Sequence, residues 1–151
     1  MIGRDTLLDL MPHQGTMALL DEVVGFDATT LHARTRAHAR PDNPLRDAQG
    51  LRAVHLCEVG AQATAAHGGL LAREAGGRAA PGLLVSLRGV VLHVDRVDGF
   101  DGPLDVHAEQ LMMAPGSWQY AFRILHGTRL LAEGRVAVMT PPDTHTEHGH
   151  G

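Results

Sequence analysis

The stretch Val54–Ala75, VHLCEVGAQATAAHGGLLAREA, is the best helix candidate in the chain. It holds no proline, and Gly76-Gly77 follows it as a stop signal. It is apolar or small almost all the way round rather than along one stripe, which is the pattern of a helix buried on every side. What surrounds it can be read outward in both directions. Beyond Pro81 the period changes, and Gly82–Val94, Leu104–Met113, Ser117–His126 and Arg129–Met139 read as strands separated by DGFDGP, APG and HGTR turns. Before the helix, Met17–Phe26 (MALLDEVVGF) reads as a strand entered from a turn. In Leu31–Arg40, Leu31, Ala33, Thr35, Ala37 and Ala39 alternate with His32, Arg34, Arg36, His38 and Arg40. That is a strand with one small, packable face and one basic face.

Asp5 or Thr6 can cap a short helix over Leu7, Leu8 and Leu10 that Pro12 ends. Residues 41–50, PDNPLRDAQG, have loop composition. The order is short helix, two strands, long helix, four strands. One buried helix among antiparallel strands is an α+β arrangement in which a curved sheet wraps the helix. Residues 1–140 read as one domain. Residues 141–151 carry His145, His148 and His150 but no apolar side chain, and read as a disordered tail without metal-binding geometry.

Composition removes several classes of function. The 151 residues, 44% hydrophobic and 20% charged, suit one soluble domain with a real core. Aromatics make up only 3%, so Leu, Val, Ala and Met must build that core. All 13 basic residues are arginine, which excludes lysine Schiff bases, a pyridoxal-phosphate lysine and a Walker-type phosphate loop. The net charge of −4 argues against general nucleic-acid binding. Cys57 is the one cysteine, so neither an intrachain disulfide nor a Cys-based zinc site is expected. The first residues lack a signal-peptide apolar run, and no stretch is long and apolar enough to span a bilayer. A cytoplasmic protein without a cofactor is expected.

Two polar side chains interrupt the buried helix. Glu58 and Gln62 sit four apart, hence on one face, with His55 three residues before Glu58. Burial of a carboxylate raises its pKa, as a general acid near neutral pH requires, although a structural hydrogen bond to a neighbouring loop explains the position equally well.

Met11–Val23 (MPHQGTMALLDEV) and the Glu58–Gln62 string EVGAQ together resemble the (3R)-hydroxyacyl-acyl-carrier-protein dehydratases of fatty-acid synthesis. The fuller string DNPLRDAQGLRAVHLCEVGAQATAAHGG looks closer still to the dehydratase-like branch of aryl-polyene and polyketide clusters. The resemblance covers roughly residues 7–140 and implies a hotdog fold, a long central helix wrapped by a curved antiparallel sheet. It further implies that a histidine removes the C2 proton of a 3-hydroxyacyl thioester. A helix carboxylic acid then protonates the departing hydroxyl, and backbone N–H groups at the helix N-terminus polarise the thioester carbonyl. On this pattern Glu58 is the acid and Gln62 the glutamine beside it.

In one place the sequence departs from that family. The histidine that acts as base there lies in a His-Phe-Pro-Gly loop about fourteen residues before the acid. Here Pro44 falls fourteen before Glu58, and a one-residue adjustment puts Asn43 in the slot. Asparagine is no base at neutral pH, though it can orient a carbonyl or a water. Among the histidines, His38 lies just before the Asn43 loop and can reach the same mouth. His55 shares the Glu58 face at the start of the helix, where solvent or a loop carbonyl can satisfy it. His67 falls on the opposite helix face, where packing or a local carbonyl explains it better than catalysis. His13 matches a histidine that holds the Pro-His turn in the wider family.

The candidate site is thus Glu58, Asn43, Gln62 and His38 for catalysis, with His55 and Arg46 for substrate binding. Arg34, Arg36, Arg40, Arg46 and Arg52 form a basic stretch suited to an acidic acyl carrier protein or to coenzyme A phosphates, or else a plain solvated face interrupted by Asp42 and Asp47. Three functions fit: a 3-hydroxyacyl-thioester dehydratase, a thioesterase using the same carboxylate with a water, and a partner subunit of a heteromeric dehydratase. A dimer is expected, a homodimer or a heterodimer with a second dehydratase subunit, because the open sheet edge invites pairing.

Overall fold

The computed structural model describes residues 1–10, 15–77 and 84–139. His13, Pro81 and the tail lie outside them. The central helix, α2, runs His55–Glu74. Around it curves one antiparallel sheet of β1 (Ile2–Gly3), β2 (Glu22–Phe26), β3 (Thr30–Thr35), β4 (Leu84–Leu92), β5 (Leu104–Ala114), β6 (Ser117–His126) and β7 (Arg129–Met139). The spatial order is β1-β2-β3-β5-β6-β7-β4. Between β3 and β4 the chain therefore crosses the concave face as α2, and β4 returns at the far edge. This is the hotdog arrangement expected from the sequence.

Small residues let the helix lie deep in the sheet. Gly60 on α2 and Gly134 on β7 both face the ring of Phe122 on β6. A Cβ at Gly60 would stand 2.6 Å from Phe122 Cδ1, and one at Gly134 would stand 2.9 Å from Cε2. The Phe122 ring thus fills the space that two missing side chains leave. Leu19, Leu31, Leu51, Leu56, Leu104, Ile124 and Leu131 complete a fully buried aliphatic core.

Two strand expectations are corrected. Met17–Phe26 is a strand only from Glu22 onward; Gly15–Met17 is a 3-10 turn, Ala18, Leu19 and Leu20 are buried outside the sheet ladder, and Asp21 first meets the sheet by donating its N–H to the Arg34 carbonyl at 2.9 Å. The Leu19 backbone is bonded by distant side chains instead: its N–H donates to Gln62 Oε1 at 2.8 Å, and its carbonyl accepts from Thr35 Oγ1 at 2.5 Å.

The second correction is to Leu31–Arg40, which is a strand only to Thr35. There Thr35 Oγ1 accepts the Ala37 N–H at 3.1 Å and Asp21 accepts the Arg36 N–H at 2.5 Å. These bonds turn the chain into a 3-10 turn, Ala37–Ala39. The expected alternation holds as far as Thr35, and beyond it His38 is fully buried instead of standing on a basic face. The first helix, α1, begins earlier than its capping signals implied and covers Arg4–Leu10. Arg4 fastens it by donating to the carbonyls of Gly15, Ala18 and Leu20.

Replacing Gly60 by Ala drives a methyl into Phe122, and over-packing of this kind costs about 1–3 kcal/mol. The higher helix propensity of Ala offsets up to ~1 kcal/mol of that. A net loss of stability in urea unfolding is the expected result.

Candidate active site at the start of the central helix

Glu58 sits in the first turn of α2 and is half-buried. Gln62 is fully buried. Its amide is shared three ways: Oε1 accepts from Leu19 N–H, Nε2 donates to the Met17 carbonyl at 2.8 Å, and Nε2 also reaches Glu58 Oε1 at 3.5 Å. The glutamine therefore anchors the 15–20 segment to the helix and orients the carboxylate. Cys57 is buried beside Glu58, and burial, then the Glu58 charge, pushes its thiol pKa up.

The loop before the helix brings the remaining candidates to the same end. Asn43 is buried, with Nδ2 donating to the Ala37 carbonyl at 2.8 Å and Oδ1 accepting the Leu45 N–H at 2.9 Å. Both ends of its amide hold the loop. Arg46 donates to the carbonyls of His38 at 2.7 Å and Arg40 at 3.3 Å. His38 donates from Nε2 to the Phe100 carbonyl at 2.9 Å, which leaves Nδ1 as the unprotonated nitrogen, without a hydrogen-bond partner among the described residues. Burial holds its pKa below the usual histidine value.

His55 is 1% exposed, and neither ring nitrogen has a partner among the described residues. Neither solvent nor a loop carbonyl satisfies it, contrary to the sequence expectation. Its pKa is lowered to about 4, first by burial, then by His38; Glu58 opposes this and Arg46 adds to it. The fold thus brings Glu58, His55, His38 and Arg46 within electrostatic reach of one another, with Asn43 shaping the loop between them.

The backbone donors of the helix start are partly used. The N–H groups of His55, Leu56 and Cys57 close onto the carbonyls of Arg52, Ala53 and Val54 at 2.9–3.1 Å. His67 belongs elsewhere, as its face predicted. It is buried and bonded to the Asp27 carbonyl through Nε2 at 2.8 Å and to the Tyr120 hydroxyl through Nδ1 at 2.7 Å. Burial pushes the Tyr120 hydroxyl up to about 12, so it stays protonated and donates to that nitrogen.

Four of the five arginines of the basic stretch meet carboxylates, and Arg46 bonds backbone carbonyls instead. Arg34 meets Glu22 and Asp105, Arg36 meets Glu22, Arg40 meets Asp21, and Arg52 meets Asp47. Asp21 and Thr35, which shape this end of the molecule, were not singled out from the sequence. Their only signal was Asp21 in the Leu-Leu-Asp string. An open hollow of about 360 Å3 lies beside His38's partner, lined by Pro41, Arg46, Asp98 and Phe100 among others. A larger one of about 610 Å3 opens on the outer sheet face over Ala121. Neither touches Glu58.

A family described as ApeP-like, ApeP dehydratase, matches residues 6–148. No curated protein sequence matches the chain. Among solved structures, the dehydratase heterocomplex ApeI:P from Xenorhabdus doucetiae superposes with a TM-score of 0.80 at 20% identity, covering 94% of this chain and 95% of that one. S. sahachiroi AziG superposes at 0.62 and 18%, covering 87% and 97%. A hypothetical thioesterase with coenzyme A from Streptococcus pneumoniae superposes at 0.58 and 10%, covering 80% and 84%. At these identities the likenesses speak for the fold. Among the described residues no helix is long and apolar enough to cross a membrane.

The buried His55 has a consequence for stability. Its pKa in the folded chain lies below that of an exposed histidine, so folding favours the neutral ring. The contribution is fully present above pH ~6.5 and is lost as pH falls toward about 4. Its full size is about 3 kcal/mol. Urea unfolding across this window should show stability falling with pH, and His55→Leu should flatten that slope. An equal slope in both proteins would assign the acid sensitivity to other groups.

Proposed function

The chain belongs to the ApeP-like dehydratase family, and from that premise we propose that it supplies the acid half of a dehydratase for 3-hydroxyacyl thioesters, completed by a histidine from a second hotdog subunit. The observation that carries this is Asn43. It stands in the slot of the usual base, it cannot take a proton, and both ends of its amide are committed to the loop. The similar Xenorhabdus structure is a dehydratase heterocomplex, which supports a mixed dimer.

In the proposed reaction the partner's histidine removes the C2 proton of the substrate. The C2–H electrons form the C2–C3 double bond, and the C3–O bond breaks. Glu58, protonated, gives its proton to the leaving hydroxyl, which departs as water and leaves a trans-2-enoyl thioester. Proton exchange then returns the histidine and Glu58 to their starting states. Gln62 holds the carboxyl of Glu58 in place. His38 and Arg46 fix the loop beside it, and His55 is buried at the same end of the helix. The substrate is carried on acyl carrier protein or coenzyme A, in a cytoplasmic fatty-acid, polyketide or aryl-polyene pathway.

A second reading is a thioesterase, favoured by the same lack of a histidine in the loop: a carboxylate and a water suffice for it. The two differ in product. With a 3-hydroxyacyl thioester as substrate and mass spectrometry as readout, the pure chain is expected to be nearly inactive. The chain mixed with a histidine-bearing hotdog subunit is expected to remove one water. Glu58→Gln in this chain should cut that activity by about 100-fold or more. Full activity of the pure chain would overturn the mixed dimer, unchanged activity of Glu58→Gln would overturn the acid role, and release of free thiol would establish the thioesterase.

A further inference from the structure

The two ends of the sheet differ in charge pairing. At the β2–β3 end every arginine of the basic stretch has a carboxylate or carbonyl partner. At the other end lies β4, the long free edge, since β1 is only two residues. Its register places Arg88 directly opposite Arg135 of β7. Both are exposed, and neither makes an ion pair among the described residues. Like charges directly opposite on adjacent strands are destabilising. On the next strand inward stands Arg123, opposite Glu133, whose carboxylate is engaged by His93 at 3.0 Å. Apolar side chains flank Arg88 along the edge: Leu87 is 43% exposed and Val91 46%.

A bulge breaks the register of this edge between Arg88 and Val91, and on either side of it the exposed Leu87, Val91 and Leu92 leave the strand open to a partner. An isologous pair of two copies of this chain would lay one β4 antiparallel to the other, and pairing over the full strand length would bring their middles together. The middle residue of Leu84–Leu92 is Arg88. Self-pairing therefore gathers Arg88 and Arg135 of both copies at the two-fold axis with no counter-charge on the strands that meet.

We propose that this edge disfavours a homodimer and selects a different hotdog subunit, one whose edge strand presents carboxylates to Arg88 and Arg135. The identity of that partner as a dehydratase subunit rests on the mixed-dimer reading above; the charge selection does not. Arg88 and Arg135 are thus partner-specificity residues, remote from Glu58. They act through repulsion of the wrong partner as much as attraction of the right one.

The test uses the chain itself as the acidic partner. Arg88→Glu combined with Arg135→Glu gives a copy with a reversed edge. Isotope-labelled wild type is mixed with it at low ionic strength and the dimers are counted by native mass spectrometry. In an equimolar mixture the ratio of mixed to like-with-like dimers should exceed its statistical value by about tenfold, and the excess should shrink as salt is raised toward ~1 M. Arg88→Gln alone should tighten self-association of the chain severalfold. That single variant also decides the matter if the doubly reversed copy fails to fold. A statistical mixture, a preference indifferent to salt, unchanged self-association of Arg88→Gln, or no dimer of any composition from folded chains would each overturn the proposal. None of these readouts involves dehydration, so failure here leaves the catalytic reading standing, and failure of the activity test leaves the charge selection standing.

Discussion

The side-chain amide of Gln62 closes two backbone gaps at once. It takes the N–H of Leu19 and gives to the carbonyl of Met17, so Leu19, outside the sheet ladder, is buried without loss of its N–H bond. An unmet buried N–H costs about 1–3 kcal/mol, and the 17–20 segment lies directly over the start of the central helix. Its other side is held by Thr35 and Arg4. The position of Glu58 follows, because the same amide touches its carboxylate. Architecture and chemistry at this end of the molecule therefore hang on one residue that is uncharged and fully buried.

Much of this was legible in the sequence where structure is local. The central helix and β6 and β7 agree with their patterns to within a residue, because a small-residue helix and alternating strands announce their own period. The places where reading failed share a cause. Residues 17–20 look like strand, but Gln62 and Thr35, far away in sequence, bond the backbone of Met17 and Leu19. The second strand stops at Thr35 because Asp21 and the Thr35 hydroxyl take the next amides. Alternation cannot report a competing side-chain acceptor.

The same division runs through the site. Glu58 and Gln62 stood out because polar residues four apart on a buried helix need a reason. His67 was placed correctly by helix geometry alone. The environment of His55 was not legible: its solvent exposure depends on how the 37–46 loop folds over the helix start, and nothing in its neighbours forecasts two unsatisfied ring nitrogens. The basic stretch was also ambiguous from sequence, since whether arginines steer a ligand or answer carboxylates depends on cross-strand register. Here Glu22, Asp21 and Asp105 come from other strands and loops to meet them.

The strand order bears on how the molecule comes into being. β4 is made directly after the helix, yet among the described residues its one neighbour in the sheet is β7, the last strand described. On a ribosome it must wait, its apolar side chains uncovered, until residues 129–139 have emerged. Contacts of such long sequence separation are slow to close and leave an interval open to misassociation. The β4 edge is therefore finished last, once β7 has emerged to pair with it. Unpaired arginine on that strand is, during the wait, a guard against premature stacking of nascent chains.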